Sequence, residues 1–343
     1  MISVVVPTLG RPSLAALLDA LAGQLGELPG AELLLVDDRR DESGELAVPG
    51  ALAAYTKVLT GRGAGPAAAR NLGWRAARGE WVVFLDDDVE PDADWSRRLV
   101  EDLAVGARVG GVQGRVTVPL PADRRPTDWE RGTAGLAEGR WITADMAYRR
   151  AALVAAGGFD ERFPRAYRED AELAHRVRRA GWRLVRGHRR VTHPVRPESR
   201  RVSLRTQRGN ADDALLRRLY GPNWRRDLDL PPGRRPRHAA VATAGAVASV
   251  AAVLRALERP GGRRRALGVV ATIAGLGWAV GTAEFARARI APGPRTPDEV
   301  ATMLVTSALI PPLATVHWVR GWWRAQSVPA GAVVTADLPG AGC

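Results

Sequence analysis

A short apolar run that ends in three consecutive aspartates limits the folds open to this chain more than any other stretch. Residues 81–85 read Trp-Val-Val-Phe-Leu, a composition typical of a buried β-strand, and Asp86, Asp87 and Asp88 follow directly. Because acids are rare inside strands, these carboxylates belong at the carboxyl end of the strand, where open α/β sheets bind ligands. Adjacent carboxylates repel one another unless they share a cation. The sequence therefore predicts a divalent-metal site here; the alternative is a solvated acidic turn before the next helix.

Strands and helices alternate along the first 105 residues. The predicted elements are strands at 2–6, 32–36, 55–59 and 81–85, and helices that begin at Ser13, Ala67 and Asp92. This alternation is typical of a doubly wound, mostly parallel α/β sheet. The second strand also ends in adjacent acids, Asp37 and Asp38, so we expect one polar ligand to span the ends of both strands.

Residues 110–220 predict further strands and helices. In chain order these are a strand at 110–118, a mobile loop at 119–138, a strand at 141–149, helices at 151–156 and 169–180, extended pieces at 182–185 and 191–193, and a helix at 201–219. The loop is rich in proline and charge, and we expect it to lie over the ligand site.

The composition narrows the possible partners. The formal net charge is +13, but Lys57 is the only lysine and the arginines are scattered without interleaved aromatic residues. That distribution does not favour nucleic acid; an anionic membrane surface or a phosphate-bearing substrate accounts for the charge. The single cysteine, Cys343, gives neither a disulfide framework nor a thiolate metal site, which fits a reducing cytosol.

Three long uncharged stretches follow residue 238. They cover residues 239–254, 266–283 and 300–319, with arginines on their flanks and tryptophans after the last. Basic flanks and terminal tryptophans are typical of a membrane boundary. We therefore expect membrane association, through either spanning helices or a helical hairpin in the interface. The alternative is a soluble, alanine-rich helical bundle.

Six motifs in order resemble the family 2 glycosyltransferases, which have the nucleotide-sugar-binding GT-A fold. The motifs are Val4–Thr8, Leu35–Asp38, Ala69–Gly73, Phe84–Asp88, Thr143–Arg150 followed by Gly157–Glu161, and the pair Glu169–Asp170. The resemblance covers residues 1–220. It implies an inverting glycosyltransferase that uses a nucleotide-diphosphate sugar. From the apolar C-terminal stretches we expect it to work at the cytoplasmic face of a membrane.

The resemblance also implies roles for the donor-side residues. Asp38, with Asp37, would accept hydrogen bonds from the base, and Pro7 and Thr8 would line the same pocket. Arg70 would contact the nucleotide or its phosphates, beside Asp86 and Asp87.

Metal and acceptor roles follow from the same resemblance. Asp86 and Asp88, with His193, would hold Mg²⁺ or Mn²⁺ against the diphosphate. Asp170 would be the general base for an acceptor hydroxyl, with Glu169 beside it. On the acceptor or diphosphate side the resemblance implies Asp145 and His193, and Trp182 is a candidate sugar platform.

One departure from the family pattern bears on the product. Processive members carry Gln-x-x-Arg-Trp, whereas this chain reads Gln207-Arg208-Gly209-Asn210-Ala211. The departure favours transfer of a single sugar. The apolar C-terminal segments favour a lipid-linked or cell-envelope glycan as the acceptor. The alternatives are a sugar nucleotidyltransferase and an inactive nucleotide-sugar-binding scaffold.

These inferences together predict three regions. They are a GT-A catalytic domain at 1–230, an apolar helical region at 231–326 that is membrane-associated, and a disordered tail at 327–343.

Overall fold

The computed structural model of the chain describes residues 1–40 and 44–334. In these residues eight strands form one sheet: β1 (Ile2–Thr8), β2 (Glu32–Asp37), β3 (Thr56–Thr60), β4 (Trp81–Leu85), β5 (Glu90–Pro91), β6 (Val109–Thr117), β7 (Asp145–Arg149) and β8 (Arg183–Thr192). Their order across the sheet is β3-β2-β1-β4-β7-β6-β8-β5. The pairs β1–β2, β2–β3, β1–β4 and β6–β8 are parallel, and β4–β7, β6–β7 and β5–β8 are antiparallel. The predicted α/β class is therefore confirmed, with a parallel half that carries the acidic strand ends.

Twelve α-helices surround or extend this sheet within the described ranges. They are α1 (Ser13–Ala22), α2 (Pro66–Ala76), α3 (Trp95–Leu103), α4 (Asp128–Ala134), α5 (Arg150–Ala156), α6 (Glu169–Arg179), α7 (Val202–Arg205), α8 (Asn210–Tyr220), α9 (Trp224–Asp227), α10 (Arg235–Leu257), α11 (Gly262–Ile290) and α12 (Pro297–Ala325).

The sheet is buried on both faces, which explains why its central strands are apolar throughout. In β1, Val4 and Val6 pack into the core on the α1 and α3 side, whereas Val5 packs on the α2 and α5 side. The same alternation separates Val83 from Phe84 in β4. Successive side chains of a strand point to opposite faces, so burial of both faces requires an unbroken apolar run.

Two predictions for residues 119–193 were wrong. Residues 119–138, predicted as a mobile loop, contain α4, which begins with a capping box between Thr127 and Glu130. The two extended pieces at 182–185 and 191–193 are parts of the single strand β8. Its basic residues hid it, because a strand with that many arginines does not show an apolar pattern.

One of these arginines lies in the protein core. Arg189 is fully buried, and its guanidinium donates to Asp145 Oδ1 (2.8 Å), Asp102 Oδ2 (3.1 Å) and the Val112 carbonyl (2.8 Å). A side chain at Gly114 would overlap the Asp145 carboxylate, so only glycine leaves room for this cluster. Two buried carboxylates are thus compensated by one cation that joins α3, β6, β7 and β8.

The C-terminal helices form a distinct group. α10 and α11 pair antiparallel, with Gly281 against Val241 and Gly245 against Trp278. α12 packs against α8. All three are long and apolar enough to cross a membrane, which confirms the predicted apolar helical appendage.

The domain boundaries at residues 230 and 326 stay a prediction. Of the predicted disordered tail, residues 327–334 are described and 335–343 lie outside the described residues. Val328 packs on the cluster around Leu216, and its carbonyl accepts from Arg218 (2.9 Å).

We expect Arg189→Met to lower the free energy of unfolding by about 3–5 kcal/mol, because it leaves Asp102 and Asp145 buried without their cation. The matched control is Arg190→Met, one residue along the same strand but exposed, which should change stability by no more than about 0.5 kcal/mol. Urea denaturation of both variants measures the difference. Equal effects would contradict the core role of Arg189.

Candidate active site

A cavity of about 1350 Å³ opens at the carboxyl ends of β1, β2 and β4. The sequence-predicted residues that line it are Pro7, Thr8, Asp38, Arg70, Asp86, Asp87, Asp88, Glu169, Asp170 and His193. Parallel strands bring their carboxyl ends to one edge, and helices α2 and α6 begin there with their N-termini at the cavity. Residues separated by more than 180 positions therefore meet in one site.

Asp87 ties the loop after β1 to the end of β4. Its Oδ2 accepts from the Thr8 hydroxyl (2.8 Å) and the Leu9 N–H (3.3 Å), and its Oδ1 accepts from Arg11 (2.9 Å). Three protein donors already hold this carboxylate. In this structure Asp87 shapes the wall that carries Thr8, and its predicted ligand contact stays a prediction.

Asp38 shapes a second wall. Its two oxygens accept from the backbone N–H groups of Gly63 (2.8 Å) and Gly65 (2.9 Å), which fixes the glycine-rich turn before α2. Asp37 does not line the cavity: Arg39 binds both of its oxygens and lowers the pKa of the carboxyl. The sequence placed Asp37 at the correct strand end, but its side chain is turned to a neighbour two residues away.

Arg70 connects the two halves of the site. Its buried guanidinium donates to Asp86 Oδ1 (2.7 Å) and to Glu169 Oε1 (2.9 Å), and it lies over the Phe159 ring. The second oxygen of Glu169 is buried and has no hydrogen-bond partner among the described residues. A charged residue from α2 thus holds one acid of the β4 end and one acid of α6 in fixed positions.

The Glu169–Asp170 pair stands at the first turn of α6. Arg168, which precedes it, is in the left-handed conformation (φ 77°), an uncommon backbone state for a residue with a side chain. Burial raises the pKa of Asp170, and burial together with the Asp170 charge raises the pKa of Glu169 to about 8. The helix N-terminus favours the charged forms, but desolvation is the larger effect here. A carboxylate with a raised pKa, once ionised, is a stronger proton acceptor than an ordinary one.

Asp88 faces His193 and Arg196. His193 Nε2 lies 3.5 Å from Asp88 Oδ1, and Arg196 Nε lies 3.2 Å from Oδ2. The pKa of Asp88 is raised, chiefly by burial and then by the charge of Asp86. His193 Nδ1 lies 3.1 Å from the Pro194 carbonyl, which can only accept, so a neutral ring presents its Nε2 lone pair to Asp88.

The donor set around Asp88 fits a divalent cation by its chemistry. Carboxylate ligands suit Mn²⁺ or Mg²⁺, and the imidazole nitrogen of His193, 3.5 Å from Asp88, is a further possible ligand of a divalent first-row metal. Among residues 1–40 and 44–334, however, no three His, Cys, Asp or Glu side chains already converge on one point. The reason is visible in the third candidate ligand, Asp86, whose carboxylate is bound to Arg70.

Two predicted residues on the acceptor side were misplaced. Asp145 is buried in the core, where it accepts from Arg189 and from Trp95 Nε1 (3.1 Å), so it cannot reach a ligand. Trp182 precedes β8 whereas His193 follows it, and the ten-residue strand separates their positions by about 30 Å. Trp182 packs beside Gly110 at the opposite edge of the sheet.

Several cavity residues were missed from the sequence. They are Arg11, Arg40, Trp129, Arg140, Arg165, Arg168 and Arg196. The position of Arg11, three residues after Thr8, and that of Arg196, three after His193, were usable signals. Trp129 had none, because its helix was predicted as a loop.

Arg140 differs from the other cavity arginines. It is exposed and makes no ion pair or hydrogen bond within the described part of the chain. The buried Gln113 holds the backbone on both sides of it, donating to the Gly139 carbonyl (3.0 Å) and accepting from the Trp141 N–H. Trp141 itself has φ 63°. An unpaired cation on a fixed backbone is available for an anionic ligand.

Comparisons with known proteins find sequence similarity in the first half of the chain. Residues 3–151 match the model of the family described as glycosyl transferase family 2. An undecaprenyl-phosphate 4-deoxy-4-formamido-L-arabinose transferase of Pseudomonas aeruginosa (strain LESB58) is 32% identical over 139 residues, 38% of this chain and 38% of that protein. The chain thus matches less than half the length of this relative.

Two solved structures are similar over most of the chain. A mannosyltransferase from Pyrobaculum calidifontis in complex with GDP-Man and Mn²⁺ has 19% identity and a TM-score of 0.47, and the match covers 95% of this chain and 86% of that one. TarS 1–349 of S. aureus in complex with UDP-GlcNAc has 16% identity and a TM-score of 0.46, with 95% and 90% covered.

The raised pKa of Glu169 makes a prediction about stability and pH. Its ordinary value is 4.5 and its value in the folded chain is about 8, so the folded state holds the extra proton between these limits. Stability should therefore fall as pH rises from 4.5 to 8, by at most about 1.4 kcal/mol per pH unit for this one proton. Glu169→Gln should flatten that slope, as measured by urea denaturation at pH 5, 6.5 and 8.

The control for this experiment is Glu101→Gln, on the exposed surface of α3. Its slope should equal that of the wild type. A Glu169→Gln slope that is also unchanged would show that Glu169 is already ionised at pH 5.

Proposed function

We propose that this chain, whose residues 3–151 match the model of glycosyl transferase family 2, is an enzyme that transfers a single sugar from a nucleotide-diphosphate sugar to a lipid-linked acceptor. The observation that carries the proposal is the cavity at the carboxyl ends of β1, β2 and β4, where Asp86, Asp88, Arg70 and Asp170 meet. This is where an α/β sheet of this kind binds a ligand, and the groups present are those that phosphate and sugar transfer require.

The donor half of the site would be formed by β1, β2 and α2. Pro7, Thr8 and the turn held by Asp38 would bind the nucleoside. Arg70, together with the α2 N-terminus, would contact the phosphates, because a helix N-terminus and a guanidinium both favour anions.

Asp86, Asp88 and His193 are the residues that would hold Mn²⁺ or Mg²⁺, which when bound neutralises the diphosphate leaving group. Arg70 is positioned to act on the same charge. It donates to Asp86 in this structure, and in the bound state its guanidinium would donate to phosphate oxygens.

Asp170 would supply the chemistry on the acceptor side. It would accept the proton of the attacking hydroxyl while the new bond forms at the anomeric carbon and the bond to the diphosphate breaks on the opposite face, which inverts the configuration. Its raised pKa makes it a better proton acceptor than an ordinary aspartate. Glu169, held by Arg70, would keep it in place.

Two features of the structure, the C-terminal helices and the cavity wall, favour a lipid-linked acceptor. The three C-terminal helices are long and apolar enough to cross a membrane, and the cavity wall includes the apolar residues Leu136, Ile142 and Leu230. The name of the sequence relative specifies an undecaprenyl-phosphate transferase, so a polyprenyl phosphate is the second candidate acceptor. Arg140 lines the cavity wall and has no ion-pair or hydrogen-bond partner among the described residues, which favours an acceptor that carries a phosphate. We place the catalytic domain at the cytoplasmic face.

A thermal-shift screen of nucleotide-diphosphate sugars tests the donor site. We expect one nucleotide to raise the melting temperature by several degrees in the presence of Mn²⁺, since saturation at 100 times Kd stabilises by about 2.7 kcal/mol. Asp88→Asn should abolish the metal-dependent part of the shift, whereas Asp92→Asn, four residues along the chain, should retain it. The absence of a shift with every nucleotide would favour the inactive-scaffold alternative.

Asp170→Asn tests the reaction step and the acceptor together. If the acceptor is a hydroxyl, transfer measured with radiolabelled donor in membranes should fall about 10²- to 10⁴-fold, because the base is lost, while the donor thermal shift is retained. If the acceptor is a phosphate, which is already ionised, transfer should fall much less. A loss of the donor shift would instead show that Asp170 is needed for binding.

A further inference from the structure

We infer that α10 and α11 cross the lipid bilayer as a hairpin, whereas α12 does not cross it and lies along the catalytic domain at the membrane surface. By length and composition the three helices are alike, so the distinction comes from what each one contacts. The inference extends the membrane attachment of the proposed function and is independent of its sugar chemistry.

α12 packs on the catalytic domain through α7 and α8. The residues on its buried face recur at helical spacing: Met303, Ser307, Ile310, Ala314, Gly321 and Ala325. A side chain at Gly321 would overlap the backbone of Ala211 at the start of α8, and Ala325 packs in a cluster with Leu215 and Trp224. The same helix α8 carries Asp212 and Asp213, which pair with the cavity-lining residues Arg165 and Arg168. A helix packed lengthwise on such a domain cannot be surrounded by lipid.

Within residues 1–40 and 44–334, the side-chain hydrogen bonds and ring contacts that join the hairpin to other elements lie at its base. Arg235 of α10 lies over the Trp318 ring at 4.5 Å, and Arg289 of α11 donates to Thr306 (2.8 Å) and Ser307 (3.1 Å) of α12. Beyond this base the apolar side chains are exposed on all sides: Val247, Val250, Val253, Leu254, Val269, Val270, Ile273, Leu276 and Val280. Helices that are apolar all round are typical of membrane spans, whereas interfacial helices have a polar face.

The dimensions and ends of the hairpin fit a bilayer. The uncharged stretches of sixteen and eighteen residues measure about 24 and 27 Å at 1.5 Å per residue, close to the hydrocarbon thickness of about 30 Å. Arginines bracket both ends, with Arg255, Arg259 and Arg263–Arg265 at the tip. Close contacts at Gly245 and Gly281 between the helices resemble the small-residue packing of membrane helices.

Attachment at the base also fixes the cavity relative to the bilayer. Arg289 donates to Asp128 Oδ2 (2.7 Å), the first residue of α4, whose N–H donates to Glu299 of α12 (2.9 Å). Trp129, Gly132 and Thr133 of the same short helix line the cavity. One wall of the cavity is therefore bound to the membrane helices, and an acceptor carried by a lipid would enter from the adjacent leaflet.

Cysteine accessibility tests this topology in the full chain. In a Cys343→Ser background, single cysteines would replace Gly261 at the tip, Gly106 after α3, and Ala301 and Arg324 near the two ends of α12. All four positions are exposed, and Gly261 has an extended backbone that any residue adopts. Each variant would be treated with a membrane-impermeant maleimide in spheroplasts and in inverted membrane vesicles.

We expect Gly106→Cys, Ala301→Cys and Arg324→Cys to be labelled in the same preparation and Gly261→Cys only in the other. Labelling of Gly261→Cys together with Gly106→Cys would overturn the crossing of the hairpin. Labelling of Ala301→Cys and Arg324→Cys from opposite sides would overturn the placement of α12. The nucleotide thermal shift, measured on the same variants, separates failure of this topology from failure of the proposed transferase function.

Discussion

The candidate site depends on one buried guanidinium, that of Arg70. Its two hydrogen bonds, to Asp86 and to Glu169, connect the end of a central strand to the start of α6. Without a cation these carboxylates, together with Asp88 and Asp170, would place several negative charges around one cavity. Coulomb repulsion at such distances is strong in a partly buried site. The arginine makes the acidic cluster compatible with a folded protein before any ligand or metal binds.

This arrangement also explains why the acids are not equivalent. Asp87 and Asp38 are held by backbone and side-chain donors, which compensate their charge in this structure. Burial raises the pKa of Asp88, Glu169 and Asp170, which are the acids with a free or poorly compensated oxygen. A ligand that brings positive charge or hydrogen-bond donors is most strongly favoured at these three. The acids of the candidate site therefore differ less in their position than in how completely neighbouring donors compensate their negative charge.

The sequence predicted the strands that are buried on both faces of the sheet. β1, β2 and β4 are apolar on both faces, and acids at their ends located the site. The sequence patterns failed for residues whose hydrogen-bond partners lie far away along the chain. Arg189 makes β8 look polar, although Asp102 and Asp145, 87 and 44 residues away, neutralise it in the core. The same pairing removes Asp145 from the site. The direction of the Asp37 and Asp86 side chains depends on arginines that strand patterns do not reveal.

The C-terminal helices show a second limit of the sequence, because their composition does not reveal which elements they contact. α10, α11 and α12 are similar in length and composition, and the contacts of α12 with α7 and α8 distinguish it. Because Arg289 joins α11, α12 and α4, the helices that would hold the protein at a membrane also hold the wall that contains Trp129. A glycosyltransferase acting on a lipid must align a soluble donor with an acceptor confined to a plane. In the proposed transferase, a cavity wall attached to the C-terminal helices would provide that alignment without any moving part.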